Sequence, residues 1–164
     1  MSVSVKESKK LKSSVCGPSV NQPMGSDVSL IRFVDFQILG DERGSLVAIE
    51  QGDGNVVPFE IKRVYYIYKT SLGVSRGFHA HRNLQQVAIC VAGSCRMVLD
   101  DGIKREEVIL DCPTKGLLIQ GLLWREMHDF SDNCVLLVLA SEHYDESDYI
   151  RDYSCFKDEA TKKD

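Results

Sequence analysis

The chain has 164 residues, of which 43% are hydrophobic and 27% charged, and its 20 lysines and arginines against 24 aspartates and glutamates give a formal net charge of −4. A chain of this length is the usual size of one domain, whose core needs neither disulfides nor a structural metal. The mild acidity argues against a nucleic-acid-binding protein, because such proteins present a basic face. The apolar runs are also much shorter than the roughly 20 residues that span a bilayer.

The first 28 residues form a separate compositional region, rich in Ser, Lys, Gly and Pro. Few large apolar side chains occur there, so we predict an arm or tail outside the core. Its lysines are not followed by the apolar stretch of a secretory signal, and we therefore expect a cytoplasmic protein with no membrane partner. Residues 29–157 are predicted to form the folded domain and residues 158–164 a charged tail.

Short runs rich in β-branched and aromatic residues follow the arm, separated by turn residues. They predict strands at 31–39, 45–50, 61–68, 77–81, 86–91, 95–99, 107–110, 117–119 and 133–140. The segment Asp100-Asp101-Gly102 predicts a hairpin turn, since Asp and Gly tolerate positive φ angles. Only residues 146–157 predict a helix, from aromatic side chains at three- and four-residue steps. So many short strands predict an all-β sandwich or closed barrel with a short C-terminal helix.

The cysteines show no pairing or spacing typical of a zinc site. We expect free thiols, as in a reducing compartment. The six are Cys16, Cys90, Cys95, Cys112, Cys134 and Cys155.

Two histidines, His79 and His81, are separated by one residue within a predicted strand. Alternate side chains of a strand share a face, so the two imidazoles project together. Such a pair fits a metal site, a pair of general bases or two surface histidines. The pattern alone leaves all three interpretations open.

The residues beyond the pair are more specific. His81 is followed by four residues, Gln86, six residues and Gly93. This spacing resembles the first motif of cupin barrels, in which a Glu at the Gln86 position is the third metal ligand. The second cupin motif, which brings a fourth ligand, His, maps to residues 120–125 and has Arg125 at that position. Gln is a poor ligand and a guanidinium group cannot be one, so we predict a site without a metal ion or other cofactor.

Four arginines fall where the mouth of such a barrel is expected, namely Arg43, Arg63, Arg76 and Arg125. A guanidinium group is planar and donates several hydrogen bonds, which suits phosphate oxygens. By strand parity Arg63 shares a face with Tyr65, and Arg76 leads directly into the two histidines. A pocket with neutral histidines on its floor and arginines at its rim fits an anionic substrate such as a diphosphate ester.

Five segments together resemble one family of small cupin enzymes, the dTDP-4-keto-6-deoxyglucose 3,4-ketoisomerases or WxcM-like proteins. The segments are 61–67, 76–81, 98–102, 124–131 and 148–151, and the similarity extends from about residue 31 to residue 156. Several long matches in the same order make the resemblance specific.

The resemblance implies a metal-free jelly-roll barrel that forms a homodimer by exchanging N-terminal strands. Family members move a carbonyl group from C4 to C3 of a dTDP-linked 6-deoxyhexose. The product is then aminated by a pyridoxal-phosphate-dependent aminotransferase and acylated, for use in a surface glycan. The resemblance places His79 and His81 in the active site as catalytic residues. The expected substrate-binding residues are Arg43, Arg63, Tyr65, Arg76, Gln86, Trp124 and Arg125.

Two of these positions vary within the family and face the sugar. One group of members has Arg at the position of Arg43 and His at that of Arg125, and another group has Tyr and Arg. This chain has Arg at both positions. The sequence therefore does not decide whether the product has the galacto or the gluco configuration.

The chemistry of isomerisation needs no redox cofactor. The proton on C3 is acidified by the neighbouring C4 ketone, and an imidazole with a pKa near 6.5 is a suitable base. We favour His79 as this base, with His81 orienting the substrate or moving protons between the two oxygens. The alternatives are a 3,5-epimerase-like cupin, whose set of His, Asp and Tyr is not found at the matching spacing, and a non-catalytic nucleotide-sugar-binding module.

Overall fold

The computed structural model describes residues 28–51 and 56–162. The predicted N-terminal arm therefore lies outside the described residues, apart from Val28. A 3-10 turn covers Glu146–Asp148 and one helix, α1, covers Tyr153–Thr161. The strands in chain order are β1 (Arg32–Asp35), β2 (Leu39–Asp41), β3 (Gly44–Leu46), β4 (Arg63–Tyr68), β5 (Arg76–His81), β6 (Gln86–Ala92), β7 (Cys95–Asp100), β8 (Arg105–Leu110), β9 (Lys115–Ile119), β10 (Trp124–His128), β11 (Val135–Ala140) and β12 (Tyr149–Ile150).

Ten of these strands form two antiparallel sheets. The first sheet has the order β1-β9-β6-β11-β4 and the second the order β12-β5-β10-β7-β8, while β2 and β3 form a separate hairpin. No strand pairing joins the two sheets among the described residues. The all-β prediction is confirmed, and of its two forms the structure is the sandwich rather than the closed barrel.

The main core lies between the two sheets. Alternate residues of each strand face inward, so apolar side chains at every second position meet side chains from the opposite sheet. Ala88, Leu136 and Val138 come from the first sheet, and Met97 and Leu99 from the second.

The outer faces of the two sheets are covered differently. Chain segments before β4 cover the first sheet, where Val57 packs against Val87 and Leu139. On the second sheet Phe156 of α1 packs with Trp124 in a separate apolar cluster. The outer side of β5 therefore packs against α1, and its polar side chains lie on the inner side of the second sheet.

Two features of the second sheet differ from the sequence-based expectation. The sequence does not predict strand β10, because its polar residues give no β pattern. The helix predicted over 146–157 is wrong in its first half, because Tyr149 and Ile150 pair with His81 and Ala80 as strand β12. The helix begins only after Asp152, whose carboxylate accepts a hydrogen bond from the Cys155 N–H at 2.9 Å.

Other sequence-based expectations hold in the described residues. The turn at 100–102 joins β7 to β8, and the Asp101 carboxylate accepts hydrogen bonds from the N–H groups of Ile103 and Lys104. Five cysteines are free thiols, and Cys16 lies outside the described residues. No helix in the described part of the chain has the length and apolar character needed to cross a membrane.

Candidate active site

The site is built around the two histidines of β5. Their rings lie 4.9 Å apart, edge to face, on the inner side of the second sheet. His81 is 1% exposed, whereas His79 is only partly buried. The Nδ1 atom of His79 lies 3.0 Å from the carbonyl oxygen of Gly77. A carbonyl only accepts, so Nδ1 carries the proton and Nε2 keeps its lone pair.

A β-bulge in β5 sets which side chains share the face of the histidines. Arg125 of β10 pairs with His79, but the next residue, Glu126, pairs with Gly77, so Phe78 is the extra residue. Gly77 has a φ of 89° and Phe78 a φ of 55°, both in the left-handed region. The bulge reverses the strand parity and turns Arg76 to the side of the histidines. A glycine inside a predicted strand is the sequence signal for such a bulge.

A buried hydrogen-bonded chain lies beneath the histidines. Arg125 is 1% exposed and donates from Nη1 to Oε1 of Gln86 at 3.0 Å and from Nη2 to the carbonyl of Leu123 at 2.9 Å. Gln86 in turn donates from Nε2 to the hydroxyl of Tyr65 at 2.8 Å. Gln86 and Arg125 thus form hydrogen bonds to each other and to other protein groups below the histidines.

The donor set does not fit the metal ion found in many cupins. The two positions that would complete the ligand set hold Gln86 and Arg125, which are hydrogen-bonded to each other. Among the residues that the structure describes, no three His, Cys, Asp or Glu side chains converge on a point that could hold a metal ion.

Both histidines are neutral at neutral pH. Burial, with a smaller contribution from the positive charge of Arg125, lowers the pKa of His79 to about 4, although the hydrogen bond to Gly77 opposes this. Burial and then the charges of Arg125 and His79 lower the pKa of His81 as well. Burial likewise lowers the pKa of Arg125 to about 10, so this side chain stays cationic.

Two residues from the C-terminal segment complete the site. The ring of Tyr149 of β12 packs against both histidines, edge-on to His81 with the ring centres 4.1 Å apart and tilted to His79 with the ring centres 5.0 Å apart. Asp148, just before it, lies 3.1 Å from Nδ1 of His81. The sequence predicts neither as a site residue, although both lie in segment 148–151 of the family resemblance, because the pairing of β12 with β5 joins positions about 70 residues apart.

Two cavities of about 370 Å³ each open beside the histidines. The one that His79 lines, here called the His79 cavity, is rich in arginine and tyrosine. Its polar and aromatic walls are Arg63, Tyr65, Arg76, Tyr144, Tyr149 and Arg151. The other, the His81 cavity, shares Arg63, Tyr144 and Tyr149 and adds the acids Glu142, Asp145 and Asp148.

The structure places the seven predicted substrate-binding residues in four different locations. Three line the His79 cavity, namely Arg63, Tyr65 and Arg76, and two lie below it, Gln86 and Arg125. Trp124 lies on the opposite face of β10, buried against Tyr153 and Phe156. Arg43 lies on the β2–β3 hairpin, with its side chain 85% exposed and paired with Asp41.

Fold and site together define a cupin-like protein, with paired histidines between two antiparallel sheets and a cationic cavity beside them. The family model described as FdtA, WxcM-like, C-terminal, matches residues 26–161. The chain therefore belongs to the WxcM-like family.

Known relatives are similar over nearly their whole length. The chain is 53% identical over 126 residues to the TDP-4-oxo-6-deoxy-alpha-D-glucose-3,4-oxoisomerase of Aneurinibacillus thermoaerophilus, covering 77% of this chain and 89% of the relative. It is 44% identical to a mutant of the 3,4-ketoisomerase QdtA from Thermoanaerobacterium thermosaccharolyticum, solved in complex with TDP-4-keto-6-deoxyglucose, with a TM-score of 0.79 over 84% of this chain and 98% of that one. The TDP-quinovose 3,4-ketoisomerase WlaRB from Campylobacter jejuni is 46% identical, with a TM-score of 0.74 over 80% of this chain and 99% of that one.

Proposed function

We propose that this protein is a sugar-nucleotide 3,4-ketoisomerase that moves the carbonyl of dTDP-4-keto-6-deoxyglucose from C4 to C3. The observation that carries the proposal is the pair of neutral imidazoles beside an arginine-lined cavity. The relatives reported above are 3,4-ketoisomerases, which favours this function over the epimerase and over a non-catalytic binding module.

His79 is the base that removes the C3 proton. Its Nδ1–H is held by the Gly77 carbonyl, so the Nε2 lone pair is available on a side chain that lines the cavity. Its lowered pKa keeps the imidazole unprotonated at neutral pH. General bases of this kind typically contribute ~10²- to 10⁴-fold to a rate.

Arg125 stabilises the enediolate that forms when the proton leaves. Its guanidinium is held from below by Gln86 and Leu123, so its charge is fixed before the reaction begins. A positive charge in a buried, preorganised position lowers the energy of a developing oxyanion more than the same charge in water.

The diphosphate of the substrate binds the arginines of the His79 cavity. Arg63 and Arg76 form no ion pair with any described residue, which leaves both free for phosphate oxygens. Arg151 lies over the ring of Tyr149, with its Cζ 4.3 Å from the ring centre. It is paired with Glu146 and extends the same cationic wall.

A second copy of the chain completes the site. Arg43 contacts Asp41 of its own hairpin, is exposed and lines neither cavity, and we therefore assign it to the site of a partner subunit. The edge strand β4 also exposes the apolar side chains of Val64, Tyr66 and Tyr68, by 53%, 62% and 57%, which a partner would cover. Light scattering on the purified protein should therefore give the mass of a dimer, and a monomer mass would contradict this assignment.

The product is a 3-keto sugar, a substrate for an aminotransferase that uses pyridoxal phosphate. A coupled assay with such an enzyme and an amino donor should convert it to a 3-amino sugar. The cytoplasmic location stays a prediction, which fractionation of cells that produce the protein can check.

Proton NMR in D₂O tests the main proposal. Incubation of the purified protein with dTDP-4-keto-6-deoxyglucose should give a 3-keto product with deuterium at C4. Exchange at C5 would instead indicate the epimerase. An unchanged sugar would exclude both enzymes and leave the binding module.

A further inference from the structure

Asp148 lies at the centre of a set of hydrogen bonds that includes the buried His81. Its Oδ2 accepts from Nδ1 of His81 at 3.1 Å and from the N–H of Leu84 at 3.2 Å. Its Oδ1 accepts from the backbone N–H of Asn83 at 2.8 Å and from the Asn83 side chain at 3.0 Å. The side chain of Asp148 is 12% exposed and that of His81 2%.

These contacts decide the tautomer of His81. Burial would raise the pKa of Asp148, but the donors from Asn83 and Leu84 outweigh it and hold this pKa below its ordinary value. The carboxylate is therefore ionised and can only accept. The proton of the neutral His81 imidazole must then lie on Nδ1, and the lone pair on Nε2.

The groups that face His81 have opposite effects on the charge of its ring. They are His79 on the same strand, Arg125 on β10, Tyr149 on β12 and Asp148 itself. Arg125 and His79 disfavour a second positive charge, while Asp148 favours it. His81 can thus take up a proton briefly next to a carboxylate and release it again.

We propose that Asp148 is a positioning residue, which acts through His81 by holding the imidazole in the tautomer that accepts a proton from one sugar hydroxyl and returns it to the neighbouring oxygen. This inference rests on the proposed 3,4-ketoisomerase function. Within the described residues His79 hydrogen-bonds to a neutral carbonyl instead of a carboxylate, so the two histidines are suited to different steps.

The proton balance requires such a second group. His79 takes the C3 proton, the C3–H electron pair forms a C3–C4 double bond, and the electron pair of the C4 carbonyl moves to O4. Nε2 of His81 then takes the proton from the C3 hydroxyl and gives it to O4. The electron pair on O3 forms the new carbonyl while C4 takes a proton from His79, whose Nε2 proton exchanges with solvent before it is delivered, so that in D₂O deuterium reaches C4. No electrons enter or leave, so no oxidant or reductant is needed.

Two rates measured in D₂O separate the two histidines. The first is the exchange of the C3 proton in recovered substrate, which needs only the base. The second is the formation of the 3-keto product, which also needs the transfer between oxygens. Asp148→Asn keeps its contacts to Asn83 only by turning its amide NH₂ towards His81, which moves the imidazole proton to Nε2. We expect isomerisation to fall on the order of 10²-fold, with C3 exchange much less affected.

A second variant keeps the test valid if Asp148→Asn does not fold. His81→Asn retains an amide that can donate to Asp148 but lacks the Nε2 atom, so it should also exchange C3 without forming product. Adding Asp148→Asn to His81→Asn should lower turnover no further. Asp158→Asn, on the exposed side of α1, removes the same charge and serves as a control.

The outcomes distinguish this inference from the proposed function. A wild-type protein that neither exchanges nor isomerises the sugar would contradict the proposed function. A wild-type protein that does both, with variants that lose both rates in equal proportion, would contradict the role of Asp148. An additional loss in the double variant would show that Asp148 does not act through His81.

Discussion

Arg125 donates a hydrogen bond from Nη1 to Oε1 of Gln86 over 3.0 Å, and both side chains are almost fully buried. These two residues occupy the positions at which many cupins supply metal ligands. Arg125 and Gln86 thus occupy the place at which a metal ion would be bound. The positive charge of Arg125 is held in a fixed position beneath the histidines.

Arg125→Met should move the acidic limb of the pH–rate profile to higher pH. The charge of Arg125 lowers the pKa values of His79 and His81, so its removal raises both, although burial still keeps them below 6.5. The pH dependence of kcat/KM measures the shift. Arg96 of β7 is paired with Glu107 and Asp129. Arg96→Met removes this charge and should leave the acidic limb in place. An unchanged profile in Arg125→Met would contradict the electrostatic role.

His79→Asn should abolish C3 exchange and isomerisation together. We expect turnover to fall by ~10²- to 10⁴-fold, because the base itself is lost. Binding of dTDP, measured by titration calorimetry, should stay close to that of the wild type. Exchange that persists in His79→Asn would assign the base to another group.

Arg76→Met should raise KM more than it lowers kcat. The loss of a charged hydrogen bond to a phosphate costs about 1.5–3 kcal/mol, which corresponds to roughly 10- to 100-fold in KM. The wild-type KM should also rise with salt concentration, and less steeply in the variant. Lys157→Met, on exposed α1, is the matched control for charge. Equal KM values in the two variants would exclude Arg76 from phosphate binding.

Gly77→Ala should destabilise the protein and displace the site. A Cβ at this position would lie 2.7 Å from the carbonyl oxygen of Arg125, at a φ of 89°. We expect a loss of about 1–3 kcal/mol from the strained backbone alone, and more from the contact. Gly121→Ala has a similar φ of 78° with open space around it, so it measures the backbone cost by itself. Equal melting temperatures for the two variants would contradict the close packing at the bulge.

Stability should fall as the pH decreases from about 6.5 towards 4. The folded-state pKa of His79 is about 4, below the value of about 6.5 in the unfolded chain, so the unfolded state binds more protons in this window. Stability is then complete above the unfolded pKa and is lost as the pH falls. Urea unfolding at several pH values gives the slope, which should be smaller in His79→Asn. An equal slope in both proteins would show that His79 is not buried in its neutral form.

Much of the site follows from patterns within a few residues. The side chains of His79 and His81 share a face because strand alternation is a local property, and the same parity brings Arg63 and Tyr65 together. Strict alternation would put Arg76 on the opposite face, since it takes no account of the bulge at Gly77 and Phe78. The assignment of Arg76 to the site comes instead from its place just before the histidines. Trp124 could not be assigned to a face, because β10 has no clear apolar pattern.

The sequence by itself determines the all-β class, the histidine pair, the absence of two metal-ligand residues and the family, because each depends on residue types and short spacings. Tertiary structure decides the rest. The contact between Arg125 and Gln86, the pairing of β12 with β5 and the hydrogen bond from His81 to Asp148 each join residues 39 or more positions apart. Strand register across such distances depends on the packing of the whole sandwich, so these contacts have no local signature in the chain.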